Sequence, residues 1–309
     1  MVDELPWWGG LLLPVVLAVL TGGTASWDAV LHDRASGGPG WRAAMTLPLR
    51  EAGGLLVQQH RRTLAADVLL GRGGALALLL AAVLASLVTP LGHWAVADLS
   101  IGVVWFNAME VVAWAAVWLV GWGANSAYGL LGGYRFIAQG LAYELPHMFA
   151  LITAALGAGS LRVADVVAAQ SSVWFVVWMP IAFVVYLLSV MAMAFWGPFD
   201  QPVGADAAGG AAAELSGVDR LVFTAARWLL LTSGAAFAVP LFLGGGAGPV
   251  LPAWLWSLVK TVAVLAVLVW VKRRIPTLRL ERYQEIAWVV LIPLTLVQAL
   301  GVAVVVLAR

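Results

Sequence analysis

The 309-residue chain contains no cysteine. Thiolate-held iron–sulfur clusters, structural disulfides and cysteine-based zinc sites are therefore excluded within it. Charge is also scarce. Only 11% of residues are Asp, Glu, Lys or Arg, against about a quarter in a soluble domain. The formal net charge is +1, so no global field attracts nucleic acid, and whatever electrostatics matter are local. The first residues lack the marks of a secretory leader: Asp3 and Glu4 stand where basic residues would be, with no small-residue cleavage site after them. What the sequence does have is apolar residues, 62% of the total, and a mean hydropathy of +0.95. That composition excludes an ordinary soluble enzyme.

Apolar runs long enough to cross about 30 Å of hydrocarbon, about 20 residues each, fall at roughly 5–25, 74–97, 101–122, 137–159, 172–195, 221–243, 252–272 and 285–307. They are continuous and show no dyad alternation, so they predict helices and not a barrel. The fold expected is an all-α integral membrane protein of about eight transmembrane helices, a single membrane domain over 1–309. Of the 17 Lys and Arg, thirteen lie in the connections after the first, third, fifth and seventh spans, and only Arg162 and Arg309 lie on the other side. By the positive-inside rule those connections are cytoplasmic and both termini are outside, which makes this a multi-pass protein of the cell inner (plasma) membrane. The first connection, 26–73, carries Leu47, Leu55, Leu56 and Leu64 at helical spacing among Arg50, Glu51, Arg61 and Arg62. It predicts an amphipathic cytoplasmic helix. The segment 196–220, with Pro198, Pro202 and many Gly and Ala, predicts a cytoplasmic loop. GRGG at 71–74 and GGGAG at 244–248 lack the strand–loop–helix setting of a nucleotide cradle and predict turns. No repeat of fixed period suggests an inverted-repeat transporter.

One stretch stops being generic. GWGANSAYGLLGGYRFIAQGLAYELP, residues 121–146, resembles the H subunit (mitochondrial chain 1) of proton-pumping NADH:quinone oxidoreductase, respiratory complex I, through Gly121, Trp122, Asn125, Ser126, Tyr128, Gly132, Arg135, Gln139, Tyr143 and Glu144. Similar landmarks follow in order: Gln170, Trp174, Pro198-Phe199-Asp200, Glu214, Lys260-Thr261, Lys272, Pro276 and Arg279. The likeness covers about 74–307. In the N-terminal quarter only Gly38-Pro39, Pro48-Leu49 and a Glu51 in place of the usual Asp survive. Where the family has acids or an arginine around its loop, this chain has Met193, Trp196, Val203 and Ala205, and Arg227 stands at a helix-six Glu.

The resemblance implies a subunit that is not catalytic alone, binds quinone as a substrate, and works with other membrane and peripheral subunits and the bilayer. It implies no nucleic acid, no metal and no iron–sulfur cluster in this chain. The quinone-cavity and family-motif candidates are Asn125, Ser126, Tyr128, Arg135, Gln139, Tyr143, Phe199, Glu214, Lys272 and Arg279. In the third loop, Asp200 is the carboxylate expected to keep a relay role, with Asp206 and Glu214 as its companions.

Without the family, ionisable groups inside apolar spans are the pointers, since each costs roughly 2.5–3.5 kcal/mol near the bilayer centre. These are Glu110, Glu144, Arg227 and Lys260. Glu144 and Lys260 admit two readings, snorkelling to the interface or buried pairing; Glu110 and Arg227 lie deeper, and buried pairing is expected, with Glu144 the first choice for Arg227. Glu144-x-x-His147 is half of a carboxylate-bridged metal motif, and no second copy exists. Trp7, Trp8, Trp94, Trp122, Trp196, Trp254 and Trp288 fit interfacial anchors, Trp196 being the one beside a lipid-tail cavity in the family. Three functions stay open: a quinone-binding membrane anchor that links peripheral electron transfer to proton translocation, a structural paralogue that anchors partners in a complex I-like or hydrogenase-like assembly, and a stand-alone transporter.

Overall fold

A backbone in hydrocarbon must satisfy its own hydrogen bonds, and the chain does so almost wholly as α-helix. The computed structural model describes residues 3–6, 8–38, 40–204 and 209–308; the expectations placed on Trp7, Pro39, Ala205, Asp206 and Arg309 lie outside them. The protein is an all-α integral membrane protein. Its long apolar helices are α1 (Gly9–Ser36), α4 (Val68–Ser86), α5 (Gly102–Gly123), α6 (Ala127–Ala158), α10 (Gly217–Phe242), α11 (Ala253–Arg274) and a final span formed by α12 (Leu280–Ile286), a π-helical turn and α13 (Ile292–Leu307). The fifth expected span, 172–195, is broken. A short α8 (Phe175–Trp178) precedes α9 (Pro180–Met193), and the break falls at Met179, before Pro180. Short helices α2 (Trp41–Met45), α3 (Leu47–Val57) and α7 (Val163–Ala169) lie in the connections, and strands β1 (Asp3–Glu4) and β2 (Trp94–Ala95) pair in parallel.

Several expectations change. The fourth span begins at Ala127 and not near 137, because the polar turn from Tyr128 to Gln139 continues the helix although it is not apolar. The run expected as a span over 74–97 ends as a helix at Ser86, and 87–97 turns back to meet the N-terminal strand. Gly71 to Gly74 lie inside α4 and form no turn: a Cβ on Gly74 would sit 2.6 Å from the Ala116 carbonyl oxygen, so glycine is what lets α4 and α5 touch. Gly244 and Gly245 do turn, with φ of 69° and 55°. The amphipathic helix ends at Val57. Arg61, Arg62 and Leu64 belong to an extended run laid across the start of α10, where the Gly217 amide donates to Gln58 Oε1 and the Arg61 amide to Ser216 Oγ.

The connections after α1, α9 and α11 gather at one end of the bundle, with the C-termini of α1 and α11. β1, β2, α7 and the turn after α10 form the other.

Candidate functional site

Three groups of polar side chains stand out. The first lies inside the bundle. Glu110, near the middle of α5, is 1% exposed, and His147 of α6 is fully buried. His147 Nε2 is 3.0 Å from Glu110 Oε1, an ion-pair distance, though the two are not aligned as a hydrogen bond. The imidazole stacks on Tyr186 with centroids 5.2 Å apart, and Phe106 flanks it at 6.4 Å. One turn before His147, Glu144 accepts a 2.9 Å hydrogen bond from Asn107 Nδ2, and Trp114 Nε1 donates to Tyr143 Oη at 2.7 Å. Pro146, between the two titratable residues, has no N–H to donate to the preceding turn. Six buried atoms here lack a hydrogen-bond partner in the protein: both Glu110 oxygens, Glu144 Oε2, both His147 nitrogens and Asn107 Oδ1.

The second group joins α1, α10 and α11 at the loop end. Asp28 receives Lys272 Nζ at 2.7 Å and Arg273 at 2.9 and 2.5 Å. Lys272 Nζ lies 3.9 Å from the centre of the Trp196 ring. Arg227 does not meet Glu144. Its Nε donates to the Ala194 carbonyl at 3.2 Å and Nη2 to the Phe195 carbonyl at 2.5 Å, while its guanidinium lies 5.4 Å from the Phe195 and Trp196 rings. Those carbonyls end α9, where Phe195 turns with φ +38°, and a helix C-terminus carries the partial negative charge a fixed cation needs. Trp196 is not interfacial. It is 1% exposed, packs on Trp228 at 4.4 Å, and its Nε1 has no partner. Trp8, Trp94, Trp122, Trp254 and Trp288 are exposed, as anchors require.

The third group pins the loop 196–216. Gln139 Nε2 donates to the carbonyls of Ala192 (2.8 Å) and Phe199 (3.0 Å), Arg135 to that of Gly209 (3.0 Å), and Ser126 Oγ to Glu214 Oε1 (2.8 Å). Asn125 donates to the Leu64 carbonyl, Tyr128 packs against Gly209, and Asp200 accepts from Thr277 Oγ1 at 3.0 Å. The Phe199 ring lies 4.4 Å from Tyr283, whose buried hydroxyl has no partner. Arg279 precedes α12 and borders a cavity of about 580 Å³ with Arg135 and Gln201. Ser126, Tyr128, Arg135 and Gln139 are thus the anchors of this loop, while Tyr143 and Glu144 belong to the interior group.

Lys260 stands apart at the opposite end and does not snorkel. Its Nζ donates to the carbonyls of Leu243, Gly245 and Ala247 at 2.7 to 2.9 Å and lies 4.1 Å from the centre of the Trp174 ring, closing the turn after α10. Sequence reasoning missed Asp28, Asn107 and the role of His147. The only sequence signal was the Glu-x-x-His step, and His147 pairs with Glu110 on a neighbouring helix. Among the described residues no three His, Asp or Glu side chains are placed to hold a metal ion.

The family model described as NADH dehydrogenase matches residues 10–303. Proteins named as the H subunit of NADH-quinone oxidoreductase are similar: one from Geobacter sulfurreducens is 38% identical over 206 residues, 66% of this chain and 63% of that protein. One from Carboxydothermus hydrogenoformans is 34% identical over 216 residues, 68% and 62% of the two chains. Another from Geobacillus kaustophilus is 36% identical over 214 residues, 68% and 64%. The aligned chain therefore spans a little under two thirds of the length of these relatives.

Proposed function

This chain belongs to the NADH dehydrogenase family of membrane subunits, alongside the H subunits of NADH-quinone oxidoreductases, and on that premise we propose that it is a quinone-binding membrane anchor of a complex I-like oxidoreductase, linking peripheral electron transfer to proton translocation. The observation that carries the reading is the interior group of Glu110, His147 and Glu144. Uncompensated buried polar atoms cost free energy, and titratable side chains kept inside a membrane bundle mark proton relays more often than they serve packing. Six unpartnered atoms on adjacent helices form a place where water completes the hydrogen bonding. A proton can pass from the Glu110–His147 pair to Glu144 through such water.

Reduction of a quinone to a quinol takes two electrons, supplied by a partner subunit, and two protons. In this chain Trp196 Nε1 and Tyr283 Oη are buried donors without acceptors on the segments that meet at Phe199, and Lys272 adds a positive charge against Trp196. Quinone carbonyls are acceptors of the kind these groups lack. Asp200, Glu214 and Arg279 line the loop route that a proton would follow to this region. The partners are the other membrane and peripheral subunits, the latter meeting α3, 58–67 and the loop 196–216. The chain lies in the inner (plasma) membrane with both termini outside.

A photoreactive quinone analogue added to the purified assembly tests this reading. Label in the peptides containing Trp196–Phe199 or Tyr283, competed by excess quinone, supports it; label confined to other subunits withdraws the quinone role from this chain. The second reading, an anchor without quinone or proton chemistry, is favoured by Met193, Trp196, Val203 and Arg227, which replace ionisable residues of the family's pattern.

A further inference from the structure

Helix α1 is only lightly embedded in the bundle, with most of its apolar surface outside the protein core. Near its N-terminus it stands away from α4, α10 and α11 and leaves a cavity of about 580 Å³, at the end of the bundle opposite the loop cluster. One wall is a face of α1, with Trp8, Leu12, Val16 and Leu20 four residues apart. The wall across from it is one face of α11, through Trp254, Leu258 and Thr261, four and then three residues apart. From Trp8 to Leu20 the groove runs about 18 Å at 1.5 Å per residue, close to one leaflet of a hydrocarbon core about 30 Å thick.

The polar groups along it are few. Ser86 and Thr261 give their hydroxyls to carbonyls of their own helices. Thr89 also lines the cavity, its Oγ1 buried away from the open space. At the rim, where β1 and β2 pair, Asp3 and Glu4 are exposed; Glu4 Oε1 accepts from the Asp98 amide at 3.0 Å, Arg162 nearby is paired with Asp98, and among the described residues no Lys, Arg or His lines any part of the cavity. The rim is therefore negative and the interior oily.

We propose that this cavity is a binding site for one acyl chain of a phospholipid whose headgroup carries an amine, such as phosphatidylethanolamine. The chain lies between α1 and α11, and the ammonium sits against Asp3 and Glu4. The depth of the groove matches a chain entering from one leaflet. Its acidic rim repels an anionic headgroup and attracts a cationic one. The site is separate from the quinone region, which is at the other end of the bundle, and the inference rests only on the protein being in a membrane.

The test uses the whole assembly containing this chain, reconstituted in nanodiscs of equal phosphatidylethanolamine and phosphatidylglycerol and then examined by native mass spectrometry for lipid retained on the chain. One retained phosphatidylethanolamine is expected. Val16→Trp combined with Ala236→Phe, both facing the cavity, should abolish retention. Asp3→Asn with Glu4→Gln, at exposed positions, should keep the lipid but lower its preference over phosphatidylglycerol about fivefold, as two exposed charge contacts would. The proposal is overturned if the wild type retains no lipid or retains quinone there, if a neighbouring subunit cross-links across the cavity, if the filling variant retains as much lipid, or if the neutral variant keeps the same headgroup preference.

Discussion

A permanent charge inside an apolar span must be answered by something, and at Arg227 the answer is backbone. A guanidinium cannot shed its proton at any accessible pH, so it settles where α9 ends in free carbonyls. Arg227→Ala should cost about 2 kcal/mol, the scale of a hydrogen bond to a charged group, while Arg227→Glu with Glu144→Arg should give additive losses in thermal unfolding of the detergent-solubilised protein. Recovery in that double variant would mean that the two side chains meet after all. The Glu110–His147 pair behaves oppositely, because its members share one buried contact. His147→Leu alone should cost about 3–5 kcal/mol by leaving a buried acid unpaired, and His147→Leu with Glu110→Leu should be the more stable of the two variants. Melting both decides it, and a double variant worse than the single would remove the pair. None of these partners was legible from spacing. Backbone acceptors at a helix end have no side-chain signature, and Glu110 and His147 are 37 residues apart on different helices.

At the scale of elements, hydropathy found the spans because lipid selects for apolar surface, yet it misplaced their ends. It registers the oily part of a helix and not its hydrogen bonding, which is why the first turns of α6, with Tyr128, Tyr134 and Arg135, were missed as helix. Glycine misled in the same way, since in α4 it serves close packing and not a turn. Gly74→Ala should destabilise by about 1–3 kcal/mol because the new methyl meets the backbone of α5. Gly22→Ala, on an exposed face of α1 with nothing within 4 Å, should be neutral or stabilising by up to about 1 kcal/mol. Equal effects at the two positions in a thermal-shift assay would mean that α4 and α5 do not touch there.

For the whole molecule, the motif at 121–146 was legible as a family mark, and the structure gives it a physical task. Its polar residues tie the start of α6 to the loop 196–216 and to 58–67, gathering the connections after α1 and α9 at one end of the bundle. A surface so assembled suits a peripheral partner. If that end is cytoplasmic, the exposed Arg62, changed to Cys, should stay unlabelled by an impermeant thiol reagent added to intact cells, and strong labelling would invert the topology. What the sequence could not show was that the titratable residues separate into an interior group at Glu110, His147 and Glu144 and a loop-end group at Asp28, Arg227 and Lys272. The coupling reading stands on the first of these. Its most direct test is the initial rate of proton movement by the assembly in proteoliposomes during quinone reduction, comparing the wild type with Glu144→Gln. The account predicts that proton movement falls about a hundredfold, the lower end of the range for loss of a proton-transfer group, while quinone still binds. Full proton movement by Glu144→Gln would contradict it.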